Sequence, residues 1–301
     1  MEWIRQNEYL LLRINEEVAL NEIVSLLNLG NTDKLINTHK LQVERKKVAS
    51  DYICKKGDTL RLHAFSMQEI DFIPEYHPLH IIYEDDFLLV VDKPAGMLVH
   101  PDTKEGKGTL ANAVAYYYEG QGLSISVRPL HRLDVETSGL VVFSKSSLLQ
   151  PHFDALLSEK KINREYYAFV DGYYRKGQRF SVELPIGRDR HDSKKRRVSQ
   201  TGKWAKTNFE CLSSSREANC SLVRCTLESG RTHQIRVHLE AHKHPIIADP
   251  LYGTRYDYVN RMALQAYRLT INSPLYDETL YLEIPMAKDL RKGFSKVLKL
   301  K

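Results

Sequence analysis

The chain has 301 residues, 42% hydrophobic and 27% charged, with a mean hydropathy of −0.42. These values fit about two folded domains of roughly 150 residues each, exclude a minimal peptide scaffold, and fit a folded soluble protein better than a disordered or membrane-embedded one. The formal charge of +6 is unevenly spread: residues 1–75 hold 10 basic and 12 acidic side chains, or −2, leaving 34 against 26, or +8, on residues 76–301, where a polyanionic partner and an ordinary solvated surface are both open readings.

The amino terminus carries charges where a secretory signal needs an apolar segment, which leads us to expect a cytoplasmic protein. Residues Arg13 to Leu27 place Ile14, Val18, Leu20, Ile23, Val24 and Leu27 at helical spacing, with Gly30 as a stop. Lys40 to Glu44 and Thr59 to His63 alternate apolar with polar residues, and Lys56-Gly57-Asp58 supplies turn chemistry before the second strand. This predicts a small α+β module over 1–75. The Pro-containing stretch from Gln68 to Pro78 reads as a linker to a second domain, 76–301.

From His80 onward strands dominate: Leu88 to Val91, Leu140 to Phe143, Tyr166 to Val170 and Ser221 to Leu227 are β-branched, aromatic or alternating. Helices are expected from Gly108-Thr109-Leu110 to about Tyr118, from Gln150 to Lys160 with Pro151 in the first turn, and from a Thr232 N-cap with Ile235 and Leu239 on one face. The strands lack regular alternation with helices, so the expected class is α+β with a largely antiparallel sheet and peripheral helices. Cys54, Cys211, Cys220 and Cys225 form no C-x-x-C pair, which argues against a disulfide framework or a zinc knuckle.

Three stretches concentrate chemistry. His131-Arg132-Leu133-Asp134 with Thr137-Ser138-Gly139 is a polar loop just before an apolar strand; a surface turn and a catalytic loop are both open readings. Gly230 to His238 places Arg236 in the first turns of a helix, where the dipole disfavours a cation, so it calls for a carboxylate or phosphate partner. His238 and His242 lie at i,i+4 without an acid at a recognised metal spacing, and we expect no metal there. Between Arg188 and Arg197 six cations in ten residues, Lys194, Lys195, Arg196 and Arg197 among them, form a solvated loop suited to a phosphate backbone.

These pieces resemble the RluA/RluD-type RNA pseudouridine synthases over about residues 80–285. The similarity rests on several motifs in order. Lys93-Pro94-Ala95-Gly96-Met97-Leu98-Val99-His100-Pro101 follows the opening strand; His131 to Gly139 is similar to the family's aspartate signature; and Arg164-Glu165-Tyr166-Tyr167-Ala168 resembles its tyrosine motif. Pro185 to Arg188, Gly202-Lys203 with Ala205 and Thr207, Gly230 to His238 and Asp249-Pro250-Leu251-Tyr252-Gly253 complete the order.

The resemblance implies isomerisation of uridine to pseudouridine within RNA, the base leaving carbon 1′ of the ribose and rejoining through its carbon 5, without a cofactor. It also implies Asp134 as nucleophile or base. Arg236 would hold that carboxylate anionic, with an attraction of about 4 kcal/mol at ~4 Å and an effective dielectric of ~20. Tyr166 and Leu264 would flank the uracil, and Arg132, with His131 beside it, would fill the space vacated by the extruded base. Arg188 and Lys194 to Arg197 would hold flanking phosphates of ribosomal or transfer RNA. The chain departs from the family at Gln265 and at Ser273-Pro274, where the family carries histidines. Residues 13–63 resemble an S-four-type RNA-binding module whose arginine-rich helix is replaced by Glu16, Glu17 and Glu22; a degenerate remnant, a partner-binding surface and a stabiliser are all open for it. Against the synthase reading stand a non-catalytic RNA-binding protein on the same scaffold and a glycosidic-bond hydrolase using Asp134 with Glu136. A monomer is the default.

Overall fold

The computed structural model describes residues 2–68, 70–103, 105–253 and 259–299. Its elements in chain order are β1 (Trp3–Gln6), β2 (Tyr9–Arg13), β3 (Val18–Ala19), α1 (Leu20–Leu26), α2 (Thr32–Asn37), β4 (Leu41–Val43), β5 (Ile53–Cys54), β6 (Thr59–His63), β7 (Ile81–Glu84), β8 (Leu88–Lys93), α3 (Leu110–Gly120) and β9 (Arg128–Pro129). There follow β10 (Ser138–Ser144), α4 (Gln150–Ser158), β11 (Ile162–Asp171), β12 (Arg179–Glu183), β13 (Ile186–Arg188), β14 (Arg196–Val198), β15 (Lys206–Ser215), β16 (Cys220–Leu227), α5 (Gln234–Ala241), β17 (Leu264–Ile271), β18 (Leu280–Glu283) and α6 (Lys288–Leu298).

In β2 and β6 every second residue is apolar, so Leu10, Leu12, Leu60 and Leu62 point to one side of an antiparallel sheet ordered β1-β2-β6-β4. Ile23 and Val24 of α1 and Leu35 and Ile36 of α2 share their core. The helix expected over Arg13 to Leu27 is shorter, only Leu20–Leu26. Arg13 ends β2, Ile14 exchanges backbone bonds with the Gly57-Asp58 turn, and Val18-Ala19 pairs with Ile53-Cys54. Strand partners from elsewhere in the chain override the local helical period.

The main sheet runs β12-β15-β16-β11-β17-β10-β8-β7, with β18 on β17 and β9 on β10. Among the described residues its pairings are antiparallel except β10 with β17. The run Leu88-Leu89-Val90-Val91 is apolar at every position because both faces of the sheet are covered. Leu89 and Val91 enter a core with α3 and α6, while Leu88 and Val90 enter the core that continues into residues 10–65. At that second face Phe65 meets Phe87 at 6.3 Å between ring centroids, and the Trp3 indole donates to the Pro274 carbonyl at 3.2 Å. The stretch 68–78, of which 69 lies outside the described residues, contains no regular element.

Candidate active site

The loop that carries Asp134 is held at both ends. Its exit, Ser138-Gly139, forms the parallel seam between β10 and β17, opposite Gln265 and Ala266. Gly139 has φ +116°, and a Cβ there would lie 2.0 Å from the Ala266 carbonyl oxygen, so only glycine allows the seam to close. Its underside rests on Lys93, fully buried, whose Nζ donates to the carbonyls of Pro94 (2.8 Å), Met97 (2.7 Å) and Val135 (3.1 Å). Burial pulls the Lys93 pKa down to about 8, with the negative charges of Asp134 and Glu136 opposing the shift.

Helix α5 supplies the counter-charge. It starts at Gln234, with His233 and not Thr232 as its N-cap: the His233 carbonyl accepts the Val237 N–H at 2.9 Å from a left-handed backbone (φ 58°), and its ring meets the Tyr252 hydroxyl at 3.0 Å. The Gln234 side chain instead accepts the Arg231 N–H at 3.0 Å. Arg236, in the first turn, has the anions its position calls for. Its Nη1 donates to Asp134 Oδ2 at 2.8 Å, while Nε and Nη2 form a two-pronged bond to Asp249 at 2.7 and 2.8 Å. Burial works against the Arg236 charge, and the bonds to Asp249 with the field of Asp134 more than restore it, raising its pKa. Asp249 also accepts the N–H groups of Leu251 (2.9 Å) and Tyr252 (3.2 Å), and the guanidinium lies over the Tyr252 ring at 5.0 Å. Asp134 is the more exposed carboxylate of the three groups, with one oxygen on Arg236 and the other 3.8 Å from His233 Nε2.

These groups open into a cavity of about 1280 Å³. Tyr166 and Leu264, both buried, lie on its wall with His131 and Arg132. Tyr166 and Asp134 share the cavity without a hydrogen bond between them; burial raises the phenol pKa, Arg164 opposes the rise, and Asp134 adds to it. His131 is neutral: burial, aided by the Arg164 charge, drives its pKa down to about 3, only partly offset by the Arg132 backbone. Neither of its ring nitrogens finds a hydrogen-bond partner. Lys194 and Arg196 reach the cavity from the β13–β14 hairpin, but Arg188, Lys195 and Arg197 do not line it. Lys195 lies over the outer side of Tyr252 at 5.7 Å.

Lys93, Asp249, Tyr252 and His233 complete the site without having been assigned roles from sequence. The cation at the start of α5 was the available signal for Asp249. His238 bonds Thr207 (2.9 Å) and the Leu184 carbonyl (3.0 Å), and His242 stacks on Phe180. Gln265 pairs with the Pro285 carbonyl and the Ala287 N–H, and Ser273 pairs with His152.

A family model described as RNA pseudouridylate synthase matches residues 87–241. A protein of Bacillus subtilis (strain 168) described as uncharacterized RNA pseudouridine synthase YhcT is 39% identical over 252 residues, covering 84% of this chain and 83% of its own. The ribosomal large subunit pseudouridine synthase D of Neisseria meningitidis serogroup B is 36% identical over 85% of this chain and 69% of its own. Among solved structures, human RNA pseudouridylate synthase domain containing 1 superposes with a TM-score of 0.57 at 25% identity, over 70% of this chain and 85% of that one. The mixed α+β scaffold is thus that of an RNA-modifying isomerase. The chain belongs to the RNA pseudouridylate synthase family.

Proposed function

We propose that this protein isomerises uridine in structured ribosomal RNA, with Asp134 as the reacting carboxylate. The observation that carries the reading is the 2.8 Å contact of Asp134 with Arg236 inside the cavity. A guanidinium that is itself anchored by a second carboxylate fixes the position of Asp134 and leaves its other oxygen without a hydrogen bond among the described residues. A uridine in a folded RNA reaches that oxygen only by leaving its stack, at a cost of a few kcal/mol. Tyr166 and Leu264 supply an apolar slot for the extruded base, and the exposed Arg132 stands at the mouth to meet the emptied helix. The ribosomal substrate is supported by the relatives named for the large subunit. The four cysteines are buried free thiols, which suits a reducing compartment such as the cytoplasm.

The test is an assay of pseudouridine in unmodified large-subunit ribosomal RNA. Asp134→Asn preserves shape and a contact to Arg236, and should lower turnover by about 10²–10⁴-fold or more while RNA affinity stays within severalfold. Full activity of that variant refutes the assignment. Salt-sensitive RNA binding with no product from the unaltered protein would instead favour a non-catalytic binder.

A further inference from the structure

We propose that the cleft holds a second subsite beside the Asp134 pocket, for the nucleotide next to the target: Arg164 takes its phosphate and Trp204 stacks on its base. The inference rests on the RNA reading above and extends it to a place where nothing yet assigns a contact.

The first observation is a cation without a protein anion. Arg164 stands on β11 two residues before Tyr166 and lines the same cavity. Its Nε is buried with no partner, and among the described residues its guanidinium makes no hydrogen bond or ion pair. On the same wall Arg236 holds two carboxylates and Lys160 holds Glu228 at 2.8 Å, while among the described residues Arg132 and Lys194 also lack an ion pair but are exposed to water, where Arg164 is half-buried. A partly buried, unpaired guanidinium is costly unless an anion arrives, and its planar fork matches two phosphate oxygens. The charge is felt within the site, since it lowers the pKa of His131 and opposes the rise in that of Tyr166.

The second observation is that the opposite wall makes room for this fork. Gly230 faces it so closely that a Cβ would lie 3.3 Å from Nη2 and 3.5 Å from Nη1. The next residue, Arg231, donates from Nε to the Trp204 carbonyl at 3.0 Å, and the Trp204 indole donates to Glu183 at 2.9 Å. Trp204 is therefore fixed at backbone and side chain, yet it is 46% exposed on the cavity wall. An anchored, bare indole and a cationic fork on the wall of one cavity, linked through Gly230-Arg231, form the pairing by which proteins hold single-stranded nucleotides, phosphate on charge and base on ring.

The experiment measures binding of unmodified, in vitro transcribed large-subunit ribosomal RNA to the full chain over a salt series, all in an Asp134→Asn background that blocks turnover. Arg164→Gln should reduce the slope of log affinity against log salt by about 0.7–0.9, the signature of one lost phosphate contact, and Arg164→Lys should restore it. Trp204→Ala should weaken binding about tenfold at every salt concentration with the slope unchanged. An unaltered slope in folded Arg164→Gln, or affinity untouched in Trp204→Ala, overturns the subsite while leaving the RNA reading standing. Should the parent protein bind with no salt dependence and the unsubstituted enzyme form no pseudouridine, both fall together.

Discussion

The cleft and the amino-terminal face of the sheet are built by opposite rules. Around Asp134 the contacts are charged and directional: Arg236 between two carboxylates, and Lys93 among three carbonyls. Where residues 3–65 meet β8 and β10 the contacts are mostly apolar, Leu10, Leu62 and Phe65 sharing a core with Phe87, Leu88 and Val142. Buried ions of this kind contribute little net stability, because desolvation consumes the Coulomb gain, but they fix positions. Apolar surfaces contribute stability and tolerate modest shifts. The molecule spends its buried charge on geometry at the site and relies on carbon elsewhere.

The sharpest way to break this division is Arg236→Leu. It strands Asp249, whose side chain is fully buried, with only two backbone donors. We expect a loss of about 3–5 kcal/mol in chemical denaturation together with loss of activity. Phe65→Ala tests the other side: a destabilisation of roughly 3 kcal/mol, with turnover by the remaining folded protein unchanged, read from denaturation and single-turnover assays run side by side. An equal loss of turnover would show that the two regions are coupled.

Protonation gives a third probe. His131 has a folded pKa near 3, below the ordinary 6.5, so it binds a proton more readily when unfolded. Its contribution to stability is complete above about pH 6.5 and is lost as pH falls toward 3, with a slope of at most about 1.4 kcal/mol per pH unit. Measuring unfolding free energy against pH for the protein and for His131→Phe should show that slope reduced in the variant. The smallest effect should come from Arg5→Ala at the module edge, whose pair with Asp86 is partly solvent-exposed; thermal unfolding should change by no more than about 1 kcal/mol.

Much of this was legible in the residues. The continuous run Leu88 to Val91, the alternating Thr59 to His63 and the loop before Leu140 each combine a short-range pattern with burial, and each forms the expected element. The Arg236 requirement for an anion was readable from helix electrostatics. What was not legible depended on distant chain. Lys206 to Ser215 is a ten-residue strand with few large apolar residues, formed by pairing β12 and β16 on its two sides. The start of α5 was displaced by His233 turning toward Tyr252, a contact across 19 residues. Of the basic run, the hairpin geometry decides that Lys194 and Arg196 face the cavity while Arg188 and Lys195 do not.

The seam at Gly139 and Ala266 has a consequence for biosynthesis. Asp134 leaves the ribosome more than a hundred residues before its guanidinium partner Arg236, and later still comes the strand that clamps its loop. A nascent chain shorter than about residue 266 therefore carries the chemical groups without their alignment, because contacts of such long sequence separation close late. The order of synthesis thus separates the making of Asp134 from the closing of the contacts that hold it, Arg236 first and the β17 seam last.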